Sequence, residues 1–310
     1  MDISFVIVNR NTRELLLACL NSVMVTVPPL SFETFVVDNG SVDGSVQAVK
    51  ESFPAVRCIE NADNRGFARA NNQAIRVAAG RYVVLLNSDT VLTPSALASI
   101  VAFMDETPSV AVCGGQLLNG DGSLQNSIAN FPTLATELLN KSVLRLLFPR
   151  RYPGKNRRFG GPTEVESIIG ACMVVRKEAI ERVGMLDERY FFFFEETDWC
   201  RAMKNRGWRV FFHPLAEIYH IQGQTAKKDP VPARIEYWTS RYLYFRKHAS
   251  PAACLVLVGG LFCKLCGSFL LQLIASPVSG KARARLKVNW ALLRWHLFGL
   301  PAGRGLARGR

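Results

Sequence analysis

The chain has 310 residues, 49% of them hydrophobic, with 38 Lys and Arg against 25 Asp and Glu for a formal net charge of +13. That length buries one sizeable core and leaves room for an appendage. Residues 1 to 226 balance their charges, whereas residues 227 to 310 hold fifteen Lys and Arg against only Asp229 and Glu236. Between those cations lie Leu, Val, Phe, Cys and Trp rather than the Gly, Ser and Arg of a disordered nucleic-acid arm, which favours anionic lipid as the partner.

Short apolar runs alternate with helical patterns from the start of the chain. The pattern predicts strand 3–8, helix about 13–25, strand 34–38, helix about 43–53, strand 56–60, helix about 67–79, strand 82–86, helix about 94–106 and strand 110–118. Such alternation builds a mainly parallel sheet whose strand-end loops gather along one edge. Met1-Asp2 runs straight into the first strand, so no signal peptide is expected and this part stays in the cytoplasm. The rhythm is lost over 119–166, where Arg150, Arg151, Lys155, Arg157 and Arg158 mix with Pro and Gly, the composition of a mobile loop. It returns with the run 167–175, helices near 177–183 and 196–205, and the strand Arg209 to Phe212.

The tail holds a run of 24 residues, 252–275, with Lys264 as its one charge, long enough to span a bilayer. The central lysine and Gly259-Gly260 favour a re-entrant or interfacial hairpin over a span, and the flanking cations give no orientation. Next, Leu286, Trp290, Leu293 and Leu297 form one helical stripe beside Arg283, Lys287 and Arg294, the pattern of a membrane-surface helix. Leu292 and Trp295 fall off that stripe, so a dimer interface stays open. The eight cysteines mostly lie inside apolar runs, as in a reducing compartment, and Cys263-Lys264-Leu265-Cys266 lacks the second pair a zinc site needs.

Four segments carry chemistry. Asn87-Ser88-Asp89 follows the apolar run Tyr82 to Leu86, placing a carboxylate at the carboxyl end of a buried strand, where open α/β sheets bind ligands. The same tripeptide is good turn and capping chemistry. The others are Asp38-Asn39-Gly40-Ser41 after Phe35-Val36-Val37, Asn64-Arg65-Gly66-Phe67-Ala68, and Phe194-Glu195-Glu196-Thr197-Asp198-Trp199.

In that order, over roughly residues 3 to 226, these segments resemble the inverting glycosyltransferases of family 2, and within it the rhamnosyltransferase-like branch. The resemblance implies a GT-A fold, a Rossmann-like α/β sheet flanked by helices, over 1–226. Its donor half is about 1–118 and its acceptor half about 119–226, followed by a helical, membrane-associated tail over 227–310. It implies a nucleotide-sugar donor, dTDP- or UDP-linked, bound by Asn9, Asn11, Asp38, Asn64, Gly66, Asn71, Asn87, Ser88 and Asp89. Asp38 would accept the imide N–H of the base. Mg2+ or Mn2+ would be held by Asp89, with His220 as a late ligand, although family members often carry an acidic residue where this chain has Asn87. Glu196 falls at the position of the general base, with Asp198 as runner-up and Glu195 and Trp199 on the acceptor side. The implied acceptor is a lipid-linked or cell-surface saccharide, including polyprenyl-diphosphate-linked sugars. The reaction would run at the cytoplasmic face of the cell membrane, on a peripheral or monotopic protein or one with a single C-terminal span. Three rivals remain: a sugar-phosphate nucleotidyltransferase, disfavoured because Val8 to Thr12 holds no glycine; a noncatalytic nucleotide-sugar binder; and a nucleic-acid binder.

Overall fold

A computed structural model describes residues 1–27, 29–149, 151–152, 159–221, 230–300 and 305–306. In chain order the elements are β1 (Ile3–Asn9), α1 (Arg13–Thr26), β2 (Phe32–Asn39), α2 (Ser45–Ser52), β3 (Arg57–Asn61), α3 (Phe67–Ile75), β4 (Tyr82–Asn87), β5 (Thr90–Leu92), α4 (Ala96–Glu106) and β6 (Val110–Leu118). They continue with β7 (Ile128–Ala129), α5 (Leu134–Leu138), α6 (Lys141–Leu147), β8 (Thr163–Glu164), β9 (Ser167–Ile168), β10 (Cys172–Arg176), α7 (Lys177–Val183), α8 (Glu195–Asn205) and β11 (Arg209–His220). Three long helices follow: α9 (Pro230–His248), α10 (Pro251–Ala275) and α11 (Gly280–Leu297).

The chain forms two compact units. The first comprises Met1–Phe131, Pro153–Phe191 and Glu195–Gln222, the second Pro132–Tyr152, Phe192–Phe194 and Gly223–Arg310. The expected boundary at 226/227, and Arg150, Lys155, Arg157 and Arg158 of the basic segment, lie outside the described residues.

Unit 1 is a mixed sheet flanked by helices, in the order β3-β2-β1-β4-β10-β6-β11-β5, with β8 beside β11. β3, β2, β1 and β4 run parallel, and β10 is antiparallel to both β4 and β6. Side chains alternate between two cores, as the period of a strand dictates. Ile3, Phe5 and Ile7 of β1 pack with Leu16 and Leu20 of α1 and Ile100 and Met104 of α4. Val6 turns the other way, with Val83 and Leu85 of β4, the alanines of α3, and Trp199, Cys200 and Met203 of α8. β4 lies on the far side of β1 from β2, so chain order reverses between β1 and β4, the switch point where such sheets open a crevice at their carboxyl ends.

Unit 2 departs from the sequence expectation in two places. Instead of a hairpin, residues 251–275 form one continuous helix, and among the described residues it is the one helix long and apolar enough to cross a membrane. Gly259-Gly260 does not break it because Gly260 is filled from outside: a Cβ there would lie 2.7 Å from Leu138 Cδ2 of α5. Only Leu257, Leu261 and Leu265 of this helix are buried, a single stripe at four-residue spacing. On α11 the buried residues are Ala282, Leu292, Leu293 and Trp295, while Trp290 and Leu297 of the expected stripe are exposed. The off-stripe pair therefore serves the packing, with Tyr242 of α9 stacked on Trp295.

Candidate functional site

Asn9 and Asn87 end β1 and β4, and Asp38 is the last residue but one of β2, three neighbouring parallel strands. Asn9 pairs with Asp38 across β1 and β2, and Val8 with Asn87 across β1 and β4, so the register alone brings the expected donor-binding residues to one edge.

Asp38 is buried and well supplied with donors. Oδ1 accepts from Asn9 Nδ2 at 2.9 Å and from Ser41 Oγ at 2.6 Å, and Oδ2 from Ser41 N at 2.8 Å. A carboxylate has about four acceptor positions, so room for one further donor remains. Asn11 adopts φ 53°, a region asparagine tolerates, and ties the two loops together: its N–H donates to Ser41 Oγ and its Oδ1 accepts from Val42 N. Thr12 Oγ1 donates to Asn9 Oδ1 at 2.7 Å and lies 2.9 Å from Ser88 Oγ, which closes the network across the β1/β4 crevice.

Gly66 caps α3 at φ 82° and ψ 168°, backbone that only glycine adopts at ease. A Cβ there would lie 2.6 Å from Phe191 O, the atom that accepts from Phe67 N at 2.7 Å. Asn64 Oδ1 accepts from Gly66 N and from Asn39 Nδ2, so this asparagine shapes its own loop. Asn71 is fully buried, with Nδ2 donating to Phe67 O and Oδ1 meeting no donor among the described residues.

Asp89 and His220, 131 residues apart in sequence, meet because β5 pairs antiparallel with the end of β11 and Asp89 O accepts from Ile221 N. His220 Nε2 lies 3.3 Å from Asp89 Oδ1, and Asn87 Nδ2 lies 3.5 Å from the same nitrogen. On the other side of the ring Nδ1 is 3.1 Å from Gln125 Oε1. Gln125 Nε2 is committed to donating, to Leu118 O at 3.2 Å and to His220 O, so Oε1 is the acceptor and Nδ1 carries the ring proton it receives. With the proton on Nδ1, the other ring nitrogen, Nε2, faces a carboxylate oxygen. Such a pair is closed by a second proton or by a cation. Two ligands at right angles about 2.1 Å from one octahedral ion lie about 3 Å apart, close to the observed separation. Nδ1–H held by a side-chain carbonyl is also the support that metal-binding histidines ordinarily have. Among the described residues no group of three or more His, Cys, Asp or Glu is placed to hold a metal ion, so a cation here takes its remaining ligands from elsewhere. The residues fit a hard divalent ion completed by phosphate oxygens. Gln125 lies in the segment that sequence reading passed over as irregular.

α8 begins after Phe193 and Phe194, both left-handed at φ 73° and 71°. Its first turn carries Glu195, Glu196 and Asp198, which complement the helix dipole. Glu196 is half-buried against Gly170, where a Cβ would sit 3.3 Å from its own. Burial raises its carboxyl above the ordinary value of 4.5, opposed by backbone N–H donors of the helix start. That suits a group that must accept a proton. Glu195 and Asp198 are both buried, and Tyr190 Oη donates to Asp198 Oδ1 at 3.2 Å. Trp199, expected on the acceptor side, is placed in the core instead: it is buried among the residues beneath the sheet, and Nε1 donates to Gly184 O at 2.8 Å.

The family model for glycosyl transferase family 2 matches residues 4–184. An N-acetylglucosaminyl-diphospho-decaprenol L-rhamnosyltransferase of Mycobacterium tuberculosis is 28% identical over 236 residues, 71% of this chain and 76% of that protein. Among solved structures, the mannosyltransferase PcManGT from Pyrobaculum calidifontis in complex with GDP-Man and Mn2+ has a TM-score of 0.55 at 17% identity, covering 96% of this chain and 86% of that one. GalNAc-T7 with UDP, GalNAc and Mn2+ has a TM-score of 0.56 at 16% identity, covering 79% and 50%. These likenesses establish the GT-A fold.

Proposed function

The chain belongs to glycosyl transferase family 2, as a glycosyltransferase of rhamnosyltransferase-like kind, and from that premise we propose the donor, acceptor and residues that carry its reaction. The donor is a dTDP- or UDP-linked hexose, rhamnose foremost. The acceptor is a lipid-linked or cell-surface saccharide at the cytoplasmic leaflet, and the Mycobacterium tuberculosis relative, named for transfer of L-rhamnose with an N-acetylglucosaminyl-diphospho-decaprenol acceptor, supports the lipid-linked choice. The observation that carries the reading is the convergence of Asp89 Oδ1 and His220 Nε2, 3.3 Å apart, at the carboxyl edge of the sheet.

Asp38, with one acceptor position left, takes the base N–H, and the Asn9, Asn11, Ser41 and Ser88 network holds it rigid. Asp89 and His220 hold Mg2+ or Mn2+, whose chemistry is to offset charge on the departing diphosphate. Both structural neighbours hold Mn2+, which supports this assignment. Glu196 accepts the proton of the acceptor hydroxyl as it attacks the anomeric carbon, and one such base suffices for single displacement with inversion. Asp198, held by Tyr190, orients the start of α8. The apolar faces of α10 and α11 keep the protein at the membrane.

Calorimetric titration of dTDP and UDP, with and without Mn2+ or Mg2+, into detergent-solubilised wild type and Asp89→Ala tests the donor half. Metal-dependent binding of one nucleotide, abolished in Asp89→Ala, is expected. Folded wild type that binds neither nucleotide overturns the donor assignment.

A further inference from the structure

Unit 2 holds a cavity of about 510 Å³ that the reaction above does not use, walled by α5, α6, α9, α10 and α11. Four cations line it, Lys141, Arg234, Arg241 and Lys264, against one carboxylate, Glu137. Glu137 is already taken: Arg241 Nε lies 3.1 Å from its Oε2 with both side chains almost fully buried, and Lys264 Nζ donates to its backbone O at 3.1 Å. Lys141 and Arg234 make no ion pair among the described residues, so the cavity carries a surplus of positive charge. Lys264, the one charge in the 25-residue apolar helix, is thereby explained: it turns into this cavity.

The surroundings are those of a lipid-facing surface. Leu255, Leu270, Leu271 and Ile274 of α10 and Leu146 and Leu147 of α6 are all more than half exposed. Exposed aliphatic side chains in that density mark a membrane or partner surface. A cationic cavity set among them suits an amphiphile with a phosphate head. Snorkelling to bulk phospholipid needs exposed cations only, whereas this cavity has the volume of a small-molecule site. Its surplus of three positive charges matches a diphosphate diester, with two negative charges, better than the single charge of an ordinary phospholipid phosphodiester.

We infer that this cavity binds the diphosphate of an isoprenoid-type lipid whose hydrocarbon chain lies along the exposed faces of α6 and α10. The inference rests on the acceptor reading above and names the group by which the acceptor lipid is held.

The test is calorimetric titration of farnesyl diphosphate into the full detergent-solubilised chain, in metal-free buffer so that donor-site metal plays no part. Wild type is expected to bind, and the Lys141→Ala, Arg234→Ala double variant to bind about tenfold or more weakly, as loss of charged hydrogen bonds predicts. The cation-retaining Lys141→Arg, Arg234→Lys variant keeps binding, which separates charge from folding. Inorganic diphosphate binds more weakly than farnesyl diphosphate, and excess phosphatidylglycerol vesicles do not displace the latter. Undiminished binding by the double alanine variant, equal affinity for inorganic diphosphate, or displacement by phosphatidylglycerol each overturns the inference. Nucleotide titration of the same variants keeps the two readings apart: intact nucleotide binding with no farnesyl diphosphate binding sinks only the cavity, and the reverse sinks only the donor site.

Discussion

Gly66→Ala separates backbone strain from collision in the loop that starts α3. Gly66 at φ 82° and ψ 168° and Gly184 at φ 100° and ψ 172° share one backbone region, which costs a non-glycine residue about 1–3 kcal/mol. Their surroundings differ. A Cβ on Gly184 meets nothing within 4 Å, whereas one on Gly66 lies 2.6 Å from Phe191 O and 2.7 Å from Phe191 Cδ2. Phe191 must move, and its carbonyl then loses the N–H of Phe67, worth about 1 kcal/mol. Gly184→Ala should therefore cost about 1–3 kcal/mol and Gly66→Ala roughly 2–4 kcal/mol. Calorimetric unfolding reads these as losses in Tm of roughly 2–4 °C per kcal/mol for a unit of this size. Gly66→Ala should also weaken donor nucleotide binding, while Gly184→Ala should not. Equal losses for the two variants, or a Gly66→Ala cost below about 0.5 kcal/mol, would refute the packing argument.

Gln125→Leu removes the acceptor that fixes the His220 ring; metal-dependent nucleotide affinity should fall about 10–100-fold, with metal-free nucleotide binding unchanged by calorimetry. Because burial raises the Glu196 carboxyl, the acidic limb of the kcat profile should lie above the ordinary carboxylate value of 4.5, and Glu196→Asp should keep a limb there while Glu196→Gln loses it. The same shift has a stability sign. The folded state holds the proton more tightly than the unfolded chain, so the contribution of Glu196 is full below its unfolded pKa and is lost as pH rises through the raised folded one. Glu196→Gln should consequently raise Tm at neutral pH, and an unchanged or lower Tm there would show that burial does not strain this group.

The sequence made much of this legible where chemistry is local. The strand predicted over 110–118 is β6, and the apolar runs of β1 and β4 were readable because a strand buried on both faces is apolar nearly throughout, whereas β3, at the sheet edge, exposes Arg57 and Glu60. Asn9, Asp38 and Asn87 could be placed at one edge from strand ends alone. What stayed hidden depends on contacts between distant segments. Nothing near Gln125 signals a partner 95 residues on, and Asp89 meets His220 only through the β5–β11 pairing. Gly259-Gly260 reads as a helix break because glycine propensity is a local cost, but Leu138 fills the space at Gly260. On α11 the sequence sets Leu292 and Trp295 apart from the apolar stripe, but only the fold shows that they pack within unit 2. Trp199 shares a helix turn with the acidic residues, and only the fold reveals that its ring points into the core.

The most direct test of the account is glycosyl transfer itself, measured with dTDP-rhamnose and UDP-hexoses as donors and an isoprenyl-diphosphate-linked N-acetylglucosamine as acceptor, for wild type and Glu196→Gln side by side. The account predicts a divalent-metal-dependent product of inverted anomeric configuration from wild type, and a fall in kcat of about 10²–10⁴-fold in Glu196→Gln with nucleotide affinity preserved. Transfer by Glu196→Gln at the wild-type rate, or a product of retained configuration, would contradict it.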